Sequence, residues 1–393
     1  STASVNLFQG TVCTTCRISA NTVSFTGDVN FASTAARLSI ASASTITGTL
    51  SGTGGLIKDG AGALTITGTP GYSGATTITN SSLIFKNNAA PSTSGFSGAN
   101  AQLTIEPDAA SASFASALAL NYTYGAGLTS LTIGKTGNTS AITTSTAVSV
   151  AGPIRIFGGN VTINGALTTT DTSTGDVLLQ GTDINGTGGF NLATGRTLTL
   201  SNTGTSSALS GVISGTGVHL SKLGAGTLAL NGTNTYTGGT DIAAASTLVV
   251  GNGTTVGALG TGNIVNDGVL SFKQSDAMTM ADVISGLGMV KQEGSGTLTL
   301  SGLNSYAGRT QINAGTLAIS SDNNLGAVPG SFDASNISMN GGTLQFMTGL
   351  TTLNAYRGIT LAGNGTLTTN ASVSTNYAGV IAGTGGLTKS GSC

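Results

Sequence analysis

Short runs in which Thr or Ser alternates with Leu, Ile or Val, each cut off by glycine or asparagine after a few residues, leave this chain few ways to fold. Ala63-Leu64-Thr65-Ile66-Thr67-Gly68, Thr227-Leu228-Ala229-Leu230-Asn231-Gly232 and Thr297-Leu298-Thr299-Leu300-Ser301-Gly302 are the clearest. A period of two puts the aliphatics on one face and the small or hydroxyl side chains on the other, as in a half-buried strand. Threonine and valine suit that pleated surface. Leu64, Ile66, Leu228, Leu230, Leu298 and Leu300 are therefore expected to point into a core. Even the best candidate for a helix, Asp108 to Tyr122, keeps Phe114, Leu118, Leu120 and Tyr122 on even positions and reads as strand. An all-β chain is predicted.

A longer unit lies over this alternation. Ser51-Gly52-Thr53-Gly54-Gly55-Leu56-Ile57-Lys58 leads through Gly60 and Gly62 to Leu64, Ile66, Tyr72, Gly74 and Thr76. A second copy runs from Ser214-Gly215-Thr216-Gly217 through Lys222, Gly224, Gly226, Tyr236 and Thr240. The third starts at Ser285-Gly286, carries Lys291, Gly294, Gly296, Asn304, Tyr306 and Thr310, and inserts one residue around Gln292-Glu293. A fourth opens at Ala382-Gly383-Thr384-Gly385-Gly386-Leu387-Thr388-Lys389 and stops after Gly391-Ser392-Cys393. The steps between Lys58, Lys222, Lys291 and Lys389 are unequal, which a propeller of equal blades does not allow and a solenoid with irregular coils does. The reading is a right-handed parallel β-helix, a β-solenoid, over 1–393 as a single elongated body, with residues 1–30 as its N-terminal cap region.

Composition bounds the partners. Only 7% of residues are charged and 62 of 393 are glycine, yet 38% are hydrophobic, enough burial to oppose chain entropy, so disorder is excluded. Five prolines and no Gly-X-Y period exclude collagen. With 13 basic and 14 acidic residues, a net charge of −1 and no Lys/Arg cluster, the chain lacks the footprint of a nucleic-acid binder or an anionic-membrane binder. No apolar run is long enough to insert as a spanning helix. Ser1-Thr2-Ala3-Ser4 has neither the basic nor the apolar part of a leader, so a mature or recombinant start is expected.

Cys13 and Cys16 form a CxxC, and Cys393 stands apart. A redox site wants a helix N-terminus after a strand, whereas Thr14-Thr15-Cys16-Arg17-Ile18 reads as extended. Zinc wants four ligands, and His219 is the single histidine. A short structural disulfide between Cys13 and Cys16 is expected, with reduced thiols as the alternative; no metal and no cofactor are expected.

The pattern GTGGLxKxGxGxLTLxG, followed by a tyrosine and Gly-x-Thr, resembles the passenger-associated transport repeat of autotransporters, also called the autotransporter-associated β-strand repeat. Gly286 to Leu317 is similar throughout, with Gly315-Thr316-Leu317 after the tyrosine, and Ser320-Ser321-Asp322-Asn323-Asn324-Leu325-Gly326 and Gly341-Gly342-Thr343-Leu344 look like its spacer. The resemblance implies a passenger exported from a Gram-negative cell through its own outer-membrane translocator barrel and then surface-displayed or secreted. The barrel is expected to lie outside this sequence, which has no run of girdled ~10-residue strands.

Candidate chemistry is thin. His219 sits at a variable repeat position with no GxSxG elbow near it, and reads as a strand histidine rather than a base. Glu106 with Asp108, and Asp171 with Asp176, are possible carboxylate pairs for glycoside cleavage, but read as solvated turns. Asp322-Asn323-Asn324 offers oxygens without a calcium-loop pattern. Lys58, Lys222, Lys291 and Lys389 are taken as charged gatekeepers that limit lateral strand pairing rather than as a ligand row. Tyr72, Tyr236 and Tyr306 are taken as rings packed at a coil corner. The expected role is a non-catalytic adhesive or self-associating scaffold meeting a host or neighbouring-cell surface protein or glycan; the alternatives are a polysaccharide lyase or glycosidase, or a stalk for a domain elsewhere.

Overall fold

The computed structural model describes the backbone of residues 4–7 and 11–13, and residues 17–32, 35–125, 127–254, 257–347, 352–370 and 374–391 in full. The chain is all-β, with parallel strands forming a β-solenoid of about 17 turns. The helical element among the described residues is the 3-10 turn Asp322–Leu325. None is long and apolar enough to cross a membrane. Two compact units, Ser1–Thr199 and Leu200–Cys393, divide it.

In the first unit the alternation becomes a ladder. Ile46, Ile66, Phe85, Ile105, Ile133, Ile156 and Leu179 follow one another as cross-strand partners on successive coils. All are buried. Side chains of like shape thus stack at one pleat position, and each contributes ~1.5–3 kcal/mol of apolar burial. Corners need unusual backbone. Asn80 and Asn100 take positive φ (48° and 50°) on neighbouring coils, where the Asn100 amide donates to Asn80 Oδ1 at 2.8 Å. The Asp108 to Tyr122 stretch contains one strand, Leu118–Leu120, while Phe114 and Tyr122 are buried beside it in irregular chain.

The second unit repeats the device. Leu209, Leu230, Val250, Phe272, Gln292, Ile312, Met339 and Leu361 form the ladder, with Gln292 as a polar rung. Leu64, Ile66, Leu228, Leu230, Leu298 and Leu300 are all buried in their respective units.

Further along, Arg357 is fully buried and clamps the Asp322–Leu325 turn. Its Nε donates to both Asp322 carboxylate oxygens at 3.1 Å. Nη1 donates to the Leu325 and Ala327 carbonyls and to Asn336 Oδ1, and Nη2 to the Asp322 and Gly326 carbonyls.

Candidate functional site

Two of the four repeat lysines do not stand on the surface as gatekeepers. Lys58, in Leu56–Asp59, and Lys222, in His219–Leu223, are fully buried. Strand alternation turns each inward with Leu56 and Leu220, and the next turn folds its carbonyls over the ammonium. Lys58 Nζ donates to Asp59 O at 2.7 Å, Gly60 O at 3.0 Å and Ser81 Oγ at 2.6 Å. Lys222 Nζ donates to Leu223 O at 2.7 Å and Gly224 O at 3.1 Å. Burial lowers both ammonium groups to a pKa of about 8, with nearby Asp59 opposing the shift at Lys58. Gly60 and Gly224 close the turn at φ 77°, where an added Cβ would collide with the carbonyls of Ile40 and Asn202. Lys389 reaches the carbonyls of Ser390 and Gly391 from an exposed strand, Leu387–Ser390.

In the third copy the inward position belongs to Gln292, while Lys291 faces out. Gln292 Nε2 donates to Gly294 O and Gly296 O, both at 3.0 Å. Leu56, Leu220 and Val290 then align with no inserted residue, so the sequence alignment was off by one at Lys291. Nor do the inward groups make a row: in the second unit Lys222 and Gln292 lie on different sheets.

Tyr72, Tyr236 and Tyr306 are buried, and each hydroxyl shares a hydrogen bond with the threonine four residues on, Thr76, Thr240 and Thr310, at 2.7–2.8 Å. Burial pushes Tyr236 and Tyr306 up to about 12. Two asparagines beside them were missed as structural groups. Asn234 and Asn304 each accept from a backbone N–H one coil earlier, Ile213 and Ile284, and donate forward to Ala258 O and Asn324 O. The spacing Asn-x-Tyr was the available signal; the first copy has Pro70 there instead.

The candidate carboxylates and the histidine are engaged in turns and pairs. Asp108 is held below the usual carboxylate range by Ser111 and further donors including Asn88, and Asp171 by the N–H groups of Ser173 and Thr174. Glu106 Oε1 lies 3.2 Å from Lys86 Nζ, and Asp176 Oδ1 accepts from Thr197 N at 2.9 Å. A glycosidase acid needs a raised carboxyl, the opposite of Asp108 and Asp171. His219 has a partner that sequence spacing hid: Nε2 is 2.9 Å from Asp241 Oδ2 on the next coil, and Nδ1 is 2.9 Å from Gly238 O. Asp322 belongs to Arg357 rather than to a cation loop. No cluster of three or more His, Cys, Asp or Glu suited to a metal occurs among the described residues. The Cys13 side chain, Cys16 and Cys393 lie outside the described residues.

What remains open is a surface. On the outside of the second unit, Ala208, Ala229, Val249, Ser271 and Lys291 succeed one another on neighbouring strands. With Thr227, Thr247 and Val269 they floor an open trough of about 560 Å³, rimmed by Thr205–Ser207 and Asn252 and charged at Lys273, Lys291 and Glu293. Glu293 accepts from Ser271 Oγ at 2.9 Å and from Asn313 Nδ2 at 3.4 Å, and lies 3.9 Å from Lys291 Nζ. A second trough, about 540 Å³, lies on the first unit around Gln102, Ser130, Arg155 and Asp176.

The model of the passenger-associated-transport-repeat family matches residues 56–80, 220–250 and 291–319, the strands and tyrosine corners just described. The chain carries three passenger-associated transport repeats, the repeat of autotransporter passengers. A curated relative, the adhesin BmaC autotransporter of Brucella suis biovar 1 (strain 1330), is 42% identical over 105 residues, which is 27% of this chain and 3% of that protein. The chain therefore matches only a small fraction of the length of that relative. No solved structure matches it. These repeats and the adhesin relative indicate a cell-surface or secreted protein of a Gram-negative bacterium.

Proposed function

We propose that this passenger segment is a non-catalytic adhesive surface that meets a protein or glycan on a host or neighbouring cell and also associates with further copies of itself. One observation carries the reading. The outward face of the second unit is a flat array of Thr, Ser, Ala and Val around an open trough, while the residues that could do acid–base work elsewhere are tied into turns and ion pairs. Such a face offers many weak polar contacts and little pre-set chemistry, which suits adhesion. The relative named as an adhesin supports it. A net charge of −1 leaves little long-range repulsion between copies. Export would be through an outer-membrane translocator barrel of the same polypeptide, with no role for nucleic acid.

The test is binding of the purified segment to cells and to immobilised matrix, beside a heat-unfolded control, with light scattering for self-association. Folded-state binding is expected. Equal binding by the unfolded chain, or none by either, would end the adhesive reading.

A further inference from the structure

We infer that the trough of the second unit binds an anionic polysaccharide, a linear sugar chain bearing carboxylate or sulfate groups. The inference rests on the adhesive reading and narrows its ligand. The floor crosses five strands from Ala208 to Lys291, which at ~4.8 Å per step is roughly 19 Å, room for several linked rings. Hydroxyls of Thr227 and Thr247 lie there beside the small apolar surfaces of Ala229, Val249 and Val269, matching the mixed hydroxyl and C–H face of a sugar, while the buried Ser271 hydroxyl is given to Glu293.

Charge sits at one end. Glu293 is already engaged by Ser271, Asn313 and Lys291. Lys273 has no ion pair among the described residues, and its stem runs beside Gly253, where an added Cβ would lie 3.8 Å from Lys273 Cε. Two ammonium groups against one committed carboxylate leave an excess positive charge facing the trough. An acidic peptide is the less suited occupant. Extended peptides gain affinity by adding to an unpaired strand edge, and here Thr227–Leu230 and Thr247–Val250 are hydrogen-bonded on both sides.

The experiment titrates the whole 393-residue chain with polygalacturonate, dextran sulfate, neutral dextran and polyglutamate. Either or both anionic polysaccharides are expected to bind, which identifies the preferred anion, with binding weakening as salt rises. Lys273→Gln with Lys291→Gln should lose at least tenfold in affinity at an unchanged β-type circular dichroism spectrum, while Arg155→Gln in the other trough should lose nothing. Val249→Glu, which leaves both lysines in place, should also weaken binding by placing a carboxylate on the floor. Unchanged affinity in these trough variants, or equal binding of neutral dextran, would overturn the assignment; tighter binding of polyglutamate would replace it with a peptide site. The two readings fail separately. Cell binding that soluble anionic polysaccharide does not compete would leave the adhesive surface standing and remove the glycan site.

Discussion

Lys58 and Lys222 hold corresponding pairs of carbonyls, each ammonium donating to the peptide oxygens one and two residues further along its own strand end, at 2.7 Å and then 3.0 or 3.1 Å. A buried ammonium satisfied by backbone oxygens instead of a carboxylate is costly to form, yet expensive to disrupt, because its removal strands the carbonyls. It also reports register. A slip by one residue would turn Lys222 out and Ser221 in, with every alternate side chain following.

Lys222→Ala should therefore destabilise by ~1–3 kcal/mol, the cost of losing the donor to Leu223 O and one of the two donors to Gly224 O, which keeps its bond from Ser246 Oγ. Lys222→Gln should lose less, since in the third copy Gln292 natively donates to Gly294 O, the counterpart of Gly224 O, and also to Gly296 O. Lys291→Ala, outward-facing, should stay within ~0.5 kcal/mol of wild type. Urea midpoints at neutral pH order the three. Equal midpoints for Lys222→Ala and Lys222→Gln would contradict the capping role.

Stability should rise from pH 8 to about 10 and fall above it. The two lysines have folded pKa values of about 8, against ~10.4 in the unfolded chain. In that window the unfolded state binds more protons, so raising pH favours the fold. Tyr236 and Tyr306 act oppositely: with folded values of about 12 against ~10 unfolded, they retain protons that the unfolded chain has lost, and stability drops above pH 10. Denaturant midpoints across pH 7.5 to 11 measure this. The Lys222→Gln protein should show a shallower rise; a midpoint falling steadily from pH 8 would refute the buried charge.

Asn304→Ala should cost more than Tyr306→Phe. The tyrosine change removes one hydroxyl bond to Thr310, worth ~1 kcal/mol. The asparagine change frees the Ile284 N–H and the Asn324 carbonyl on two other coils, each a buried backbone group left without its partner. Thermal midpoints of both variants decide. A reversed order would show that the coil bridge contributes little.

Much of the fold was legible because strand alternation is local: Leu64, Ile66, Leu228 and Leu230 needed only their neighbours to be read as inward. The inside was harder. Lysine is the residue least expected in a core, so Lys58 and Lys222 were read outward although their own alternation with Leu56 and Leu220 points in. At Gln292 the same bias moved the marker to Lys291, against the frame set by Gly294 and Gly296. His219 with Asp241, and Glu293 with Ser271 and Asn313, meet across coils, at separations set by corner lengths that single residues do not encode. The trough is of that kind too: its floor is built from strands tens of residues apart.

Arg357 carries the last prediction. Its guanidinium is fully buried and donates to the Asp322 carboxylate, to Asn336 and to four backbone carbonyls between Asp322 and Ala327. The planar fork is what lets one side chain serve partners in several directions, and a lysine ammonium cannot reproduce it. Arg357→Lys should thus lose most of what Arg357→Met loses, ~3–5 kcal/mol for breaking a buried pair and stranding Asp322. Arg357→Met combined with Asp322→Asn should recover part of it, because the lone carboxylate is gone. The damage should be local: amides of Asn324 and Ala327, bonded to Ser321 O and Tyr306 O, should exchange fast in Arg357→Met while those of the ladder strand Thr310–Ile312 stay protected. Wild-type protection at Asn324 and Ala327 in that variant would mean that the turn holds without its arginine.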